Sequence, residues 1–303
     1  MSPRPAGTAK PARPRLRPGP PLLFLLGAAV VYLLAVCTPF GQRAENGLVR
    51  GYADQARIFD SAQSAGPPPL KAAMLTLIAG LLVIALITLV RRCWWYGGAA
   101  LAVVAATVVA AEALYALLPR PDLVHARQGL TDGSFPSGHV AIVAGLVCGA
   151  VLVCAPRPRP YVAAAGMVWL AVTAAAVQAL YWHRPSDALG ATLLACACHR
   201  LAVRLLSARG SAPGAASAPG AGSAPAAVRR PRALPAVAGV LVAAGALVAG
   251  SREDATLLPL VFSGAALVCV ALLRLATGPL AGPGRADGPA EGGPAEGEAL
   301  TRA

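Results

Sequence analysis

Long apolar runs separated by short polar breaks constrain this chain more than any other feature. They begin near residues 21, 70, 97, 138, 161, 185, 233 and 257. Inside hydrocarbon every backbone N–H and C=O must be paired within the protein. An apolar run of about twenty residues therefore crosses a bilayer as a helix, at ~1.5 Å per residue. The expected fold is all-α, a polytopic transmembrane helical bundle. A content of 56% hydrophobic but 13% charged residues excludes an ordinary soluble domain.

Taken in order, residues 1–20 read as a disordered basic tail rich in Pro, Arg and Gly. The spacing predicts spans over 21–40, 70–90, 97–118, 138–155, 161–181 and 185–206, a six-span domain covering 21–206. A secretory signal peptide is the rival reading of 21–40, and both readings put residue 41 outside. Residues 41–69, mixed in charge and ending in Pro67-Pro68-Pro69, read as an external loop. Trp94, Trp95 and Tyr96 follow Arg91-Arg92 as a headgroup-level anchor. Residues 207–232 read as a flexible Gly/Ala/Ser/Pro linker. Residues 233–276 form a two-span hairpin that carries no motif and stands apart from the catalytic unit. Residues 277–303 read as a disordered tail.

The formal charge of +13 raises the question of nucleic acid. The arginines fall between apolar runs, so membrane topology explains them and no nucleic-acid partner is expected. With a cytoplasmic N-terminus, 18 Lys and Arg residues lie on the inner side and 8 on the outer, as the positive-inside rule requires. That orientation sets the breaks after Leu118 and around His183 on the external face. Most of the seven cysteines fall inside apolar runs, where Cys behaves as a small hydrophobe. Cys196-Ala197-Cys198-His199 lies in an apolar helix with no second ligand pair, so no metal site is expected.

Three polar segments can carry chemistry. His183 and Asp187, four apart at a helix start, share one face, so the carboxylate can take one imidazole proton and leave the other nitrogen free. Pro185 suits the first helical turn. Ser137-Gly138-His139 opens another helix: Ser137 caps it, Gly138 admits a close ligand, and free N–H groups there attract an anion. His139 stands beside them as a proton donor. Arg120, between two prolines, presents a guanidinium whose fork matches phosphate oxygens. Singly, each has a plainer explanation: a surface histidine, an ordinary capped helix, a snorkelling arginine.

Together they resemble the type 2 phosphatidic acid phosphatase and vanadium haloperoxidase superfamily, in its bacterial integral-membrane branch. Its pattern runs Lys-x6-Arg-Pro, Pro-Ser-Gly-His, then Ser-Arg-x5-His-x3-Asp. Arg120-Pro121, Pro136-Ser137-Gly138-His139 and His183 with Asp187 match it in order, over about residues 70–206. Three positions depart: Ala113 stands for the lysine, and Ala176 and Val177 for the serine and arginine. Arg127 and Arg184 are the neighbouring cations that would compensate.

The resemblance implies a multi-pass cell-membrane lipid phosphatase that needs no metal or other cofactor. Arg120 and the N–H groups near Ser137 and Gly138 would hold the phosphate. His183, oriented by Asp187, would attack phosphorus, and His139 would protonate the leaving oxygen. The substrate would be an amphiphile such as phosphatidic acid or a polyprenyl diphosphate, cleaved through a phosphohistidine. Two alternatives keep the same fold: a catalytically degenerate protein that binds a lipid phosphate, and a lipid phosphotransferase using the same histidines.

Overall fold

The computed structural model describes residues 20–48, 68–126, 130–208 and 258–278. The basic tail, most of the linker, the run at 233–250 and the C-terminal tail from 279 lie outside the described residues. Among those described, all regular structure is helical, as expected. The helices are α1 (Pro20–Ala35), α2 (Pro39–Leu48), α3 (Ala73–Arg91), α4 (Trp94–Leu117), α5 (Gly138–Val153), α6 (Arg159–Ala179), α7 (Pro185–Ala208) and α8 (Leu258–Thr277).

Helices α3, α4, α6 and α7 are each long and apolar enough to cross a membrane, and α1 with α2 makes a bent fifth candidate. The protein is therefore a multi-pass membrane protein. The side chains of Leu75, Ile78, Leu82 and Leu86 on α3, and of Leu22, Leu26 and Leu33 on α1, are exposed as a lipid-facing belt. Trp94 and Trp95 are exposed at the start of α4, where an interfacial anchor belongs.

Helix α5 is the centre of the bundle. It packs against α3, α4, α6 and α7, and 13 of its 16 residues are buried. A helix that is apolar on every side has no polar face to keep in water and can be enclosed by others. Glycines on the surrounding helices make the close approach possible: a Cβ on Gly80 of α3 would overlap Leu146, and one on Gly166 of α6 would overlap Val147. Such small residues at helix contacts replace the hydrophobic drive that lipid removes. Helix α7 packs on α1, α4, α5 and α8, and α8 also lies along α6. Ala266, Cys269 and Leu273 of α8 join the same core as α5. The Arg200 guanidinium of α7 donates to the Leu275 carbonyl of α8.

The first span differs from expectation. Helix α1 stops at Ala35, and α2 leaves it at 84° inside what reads in sequence as an external loop. The break has a local cause. Thr38 Oγ1 accepts from Gly41 N at 3.0 Å and Pro39 takes the first helical position, the usual start of a new helix. A Cβ on Gly41 would strike the Ala35 backbone, so glycine lets α2 fold back over the end of α1.

Replacing Gly166 by alanine should overpack the contact with Val147 and destabilise the bundle by about 1–3 kcal/mol. A lowered thermal midpoint in detergent, with unchanged activity per folded molecule, is the expected result.

Candidate active site

The polar ends of α4, α5 and α7 meet at one end of the bundle, and local backbone chemistry brings them there. Helix α6 ends in a tight reversal at Tyr181, whose φ of 57° lies in the left-handed region. The N–H groups of Trp182 and His183 both donate to Val177 O, at 3.0 and 3.1 Å. Val177 itself is fully buried in the core. Helix α7 then starts with Pro185 in its first position. Asp187, in the third, accepts from Arg184 N through Oδ2 at 2.8 Å, half of a capping box.

The same Oδ2 lies 3.4 Å from His183 Nδ1. Asp187 is wholly buried, while His183 keeps 13% of its side chain exposed. The carboxylate therefore faces one imidazole nitrogen, and the other is left for chemistry.

Across from it, Ser137 caps α5 by accepting from Val140 N at 3.4 Å. The Ser137 N–H does not stay free: it donates to Asp187 O at 3.1 Å, tying the start of α5 to the start of α7. The first-turn N–H groups of Gly138 and His139 follow, which helix geometry leaves without intrahelical partners. A Cβ on Gly138 would stand 3.0 Å from Glu112 Oε1, so this turn is closely overlaid by α4. The His139 ring centroid lies 6.0 Å from that of His183 and 5.4 Å from that of Trp182.

Arg120 follows α4, and its side chain is only 4% exposed. The Tyr32 hydroxyl of α1 donates to Pro119 O at 2.6 Å, fixing the segment that carries it. Nη2 donates to Asn46 Oδ1 at 3.3 Å, and Nη1 stands 3.9 Å from Glu45 Oε2. Glu45 Oε1 in turn accepts from Ser186 N at 3.1 Å. Arg120 thus joins the α7 start through α2. Burial, and then the charge of Arg184, hold its pKa below the usual arginine value, against the opposing pull of Glu45 and Asp187. Two buried guanidiniums near each other form a place where an anion relieves repulsion.

Residues 92–211 match the profile of the PAP2 superfamily. This part of the chain is similar to the PAP2 superfamily. Neither a curated protein nor a solved structure matches the chain. The matched region takes in α4 to α7 and every candidate site residue from Arg120 to Asp187. Phosphatase action on lipid-type phosphates is the activity that superfamily points to.

Within this matched region Arg184 has a structural task. Its Nη1 donates to Ser134 Oγ and its Nη2 to Leu130 O, both at 2.7 Å. It clips the segment before Phe135 onto α7, and Phe135 packs where a Cβ on Gly190 would stand. Arg127, the other neighbouring cation, lies outside the described residues. Sequence reasoning missed Glu45 and Asn46. The signal present was the Thr38-Pro39 helix start, followed by Gln42, Glu45 and Asn46 at helical spacing.

Arg184→Ala should free the 130–137 segment. Backbone amide exchange there is expected to accelerate by ~10-fold or more, since two hydrogen bonds to a buried charged group are lost. Asp187→Asn can still accept from Arg184 N and so should keep the helix start. By presenting an amide to His183 it should cost turnover far more than stability, measured as phosphate release against thermal midpoint.

Proposed function

We propose that the protein is a membrane lipid phosphatase. It hydrolyses a phosphomonoester or diphosphate of an amphiphilic substrate, of the phosphatidic acid or polyprenyl diphosphate type, through a phosphohistidine intermediate. One observation carries the proposal. The His183 imidazole has Asp187 at Nδ1, 3.4 Å away, and the His139 ring 6.0 Å distant, at the same end of the bundle as two buried arginines.

The steps follow from that arrangement. Arg120 and the first-turn N–H groups of α5 hold the phosphoryl oxygens and stabilise charge as it develops. His183 Nε2 forms a bond to phosphorus in line with the departing oxygen, while Asp187 holds the proton on Nδ1. The P–O bond breaks, and His139 gives its proton to the leaving alkoxide or phosphate. Water then attacks the phosphohistidine, its proton passing to His139. The N–P bond breaks, and inorganic phosphate leaves. These side chains supply every step, so the activity is expected to persist with a chelator present. The Lys and Arg distribution favours a cytoplasmic N-terminus and a site on the external face, where a lipid headgroup reaches it from the bilayer.

A second reading is favoured by one finding. The position of the motif arginine is Val177, buried in the core, and that of the motif lysine is Ala113. With fewer cations on the phosphate, the protein would bind a lipid phosphate without turning it over.

Phosphate release from phosphatidic acid and polyprenyl diphosphate distinguishes the two. His183→Ala should lose at least ~10³-fold in rate, as removal of a nucleophile does. Equal release by wild type and His183→Ala would end the phosphatase reading. His139→Ala should lose ~10²- to 10⁴-fold with lipid substrates, the typical worth of a general acid. Its loss with a nitrophenyl ester should be much smaller, because that leaving group departs without a proton.

A further inference from the structure

Helix α2 lies outside the matched region, and its polar face is turned toward the site. Gln42 Nε2 donates to Val36 O at 2.7 Å and to Pro121 O at 2.5 Å, and Gln42 Oε1 accepts from Leu123 N at 3.2 Å. With Asn46 on the Arg120 guanidinium, α2 grips the arginine and the backbone after it.

Glu45, between those two residues, is different. It is 7% exposed. Its Oε1 accepts from Ser186 N, but among the described residues the buried Oε2 has no hydrogen-bond partner. Arg120 Nη1 stands 3.9 Å from that oxygen, too far for a hydrogen bond. Among the described residues, the hydrogen bond that the Arg120 guanidinium makes is the 3.3 Å contact to Asn46. A buried acceptor thus faces a guanidinium at a distance that no hydrogen bond spans. Such an orphaned acceptor is rare in an interior and calls for an explanation, of which a bound group is one.

Charge decides what fits. Glu45 is faced by Arg120 from the segment after α4, and by Arg184, Asp187 and the Ser186 N–H from the start of α7. Asn46 is its neighbour on α2. His183 lies beyond Asp187, and His139 of α5 lies 6.0 Å beyond His183. Arg184 is engaged by Ser134 and Leu130, and Asp187 by His183 and Arg184 N. An incoming phosphate dianion would meet Arg120 and, beside it, an ionised Glu45. Two anions in so buried a place repel unless one takes a proton. Burial, and then the Asp187 charge, already raise the Glu45 pKa above the ordinary carboxylate value. An arriving anion acts in the same direction.

We propose that Glu45 is a further binding group of the phosphate seat and holds a proton there, so that the substrate's phosphate group and one proton enter together. This rests on the reading that Arg120 holds the substrate phosphate. The neutral carboxyl donates to a phosphate oxygen, replacing by a hydrogen bond part of what the absent lysine and arginine would give by charge. The proton comes from water, and the bond that forms is the Glu45 O–H. Binding that takes up a proton is strong below the free-state pKa of Glu45 and weakens as pH rises through it, by up to ~10-fold per unit.

The test uses sulfate, a tetrahedral dianion with no titrating proton near neutral pH. Binding to the full chain in detergent is followed by calorimetry in two buffers of different ionisation enthalpy, which counts protons taken up. The measurement is made in a His139→Ala, His183→Ala background, so that neither imidazole contributes. There, the chain with Glu45 should take up close to one proton per sulfate more than the chain that also carries Glu45→Gln. The Glu45→Gln chain should show a flatter pH dependence and, above neutral pH, at least ~10-fold tighter binding. Glu45→Asp should retain the uptake. Equal proton counts with and without Glu45, or no uptake when Glu45 is present, overturn the proposal; the second result needs no Glu45 variant to fold. Sulfate binding lost in Arg120→Ala, but without a Glu45-dependent proton, leaves the phosphate seat standing and removes only the role of Glu45. Sulfate binding to no form, wild type included, removes both.

Discussion

The site depends on how one buried carboxylate is shared. Asp187 is completely enclosed. Its Oδ2 serves both Arg184 N and His183 Nδ1, and its backbone carbonyl accepts from Ser137 N. A single residue thus starts α7, orients one imidazole and fastens the α5 turn that bears the other. An ionised carboxylate is tolerable there because those partners satisfy it; uncompensated, it would be very costly to bury. The registration of two separate helices therefore follows from hydrogen bonds around one residue, its carboxylate within α7 and its backbone carbonyl toward α5.

Much of this was legible in the sequence. Apolar runs gave the helices α3 to α8 to within a few residues, because an unbroken apolar run of that length satisfies its backbone in hydrocarbon as a helix. Pro185 and Ser137 marked two helix starts, and the spacing of His183 and Asp187 put them on one face. What the sequence did not show was the partner of each polar group. The Ser137 N–H, counted among the anion's donors, is taken by Asp187 O. Arg184, a candidate cation, clips the loop before α5. Such pairings join residues some fifty positions apart, and no local pattern records them. Helix α2 was missed because its low hydrophobicity reads as loop, although Thr38-Pro39 supplies a cap and a first turn.

The matched domain and the site have different extents. Residues 92–211 contain both histidines, Asp187 and Arg120. Yet Arg120 is held by side chains of α2, and its flanking Pro119 by Tyr32 of α1. The positions of the lysine and arginine in the motif are apolar here, while a polar helix from outside the motif presses on the remaining arginine. The electrostatics of the pocket therefore have to be judged with α1 and α2 included.

Helix α7 has a second polar end, opposite to the one that bears Asp187. His199 and Arg200 are both buried there, and the Arg200 guanidinium rests on a backbone carbonyl near the end of α8. Presented alone to acyl chains, this helix would expose an acid, an imidazole and a guanidinium, each disfavoured in lipid. It becomes a comfortable membrane segment once α1, α5 and α8 enclose it. Its biogenesis is thus cooperative: α7 relies for part of its stability in the bilayer on a helix made after it, and the full complement of contacts exists only when synthesis has passed residue 275.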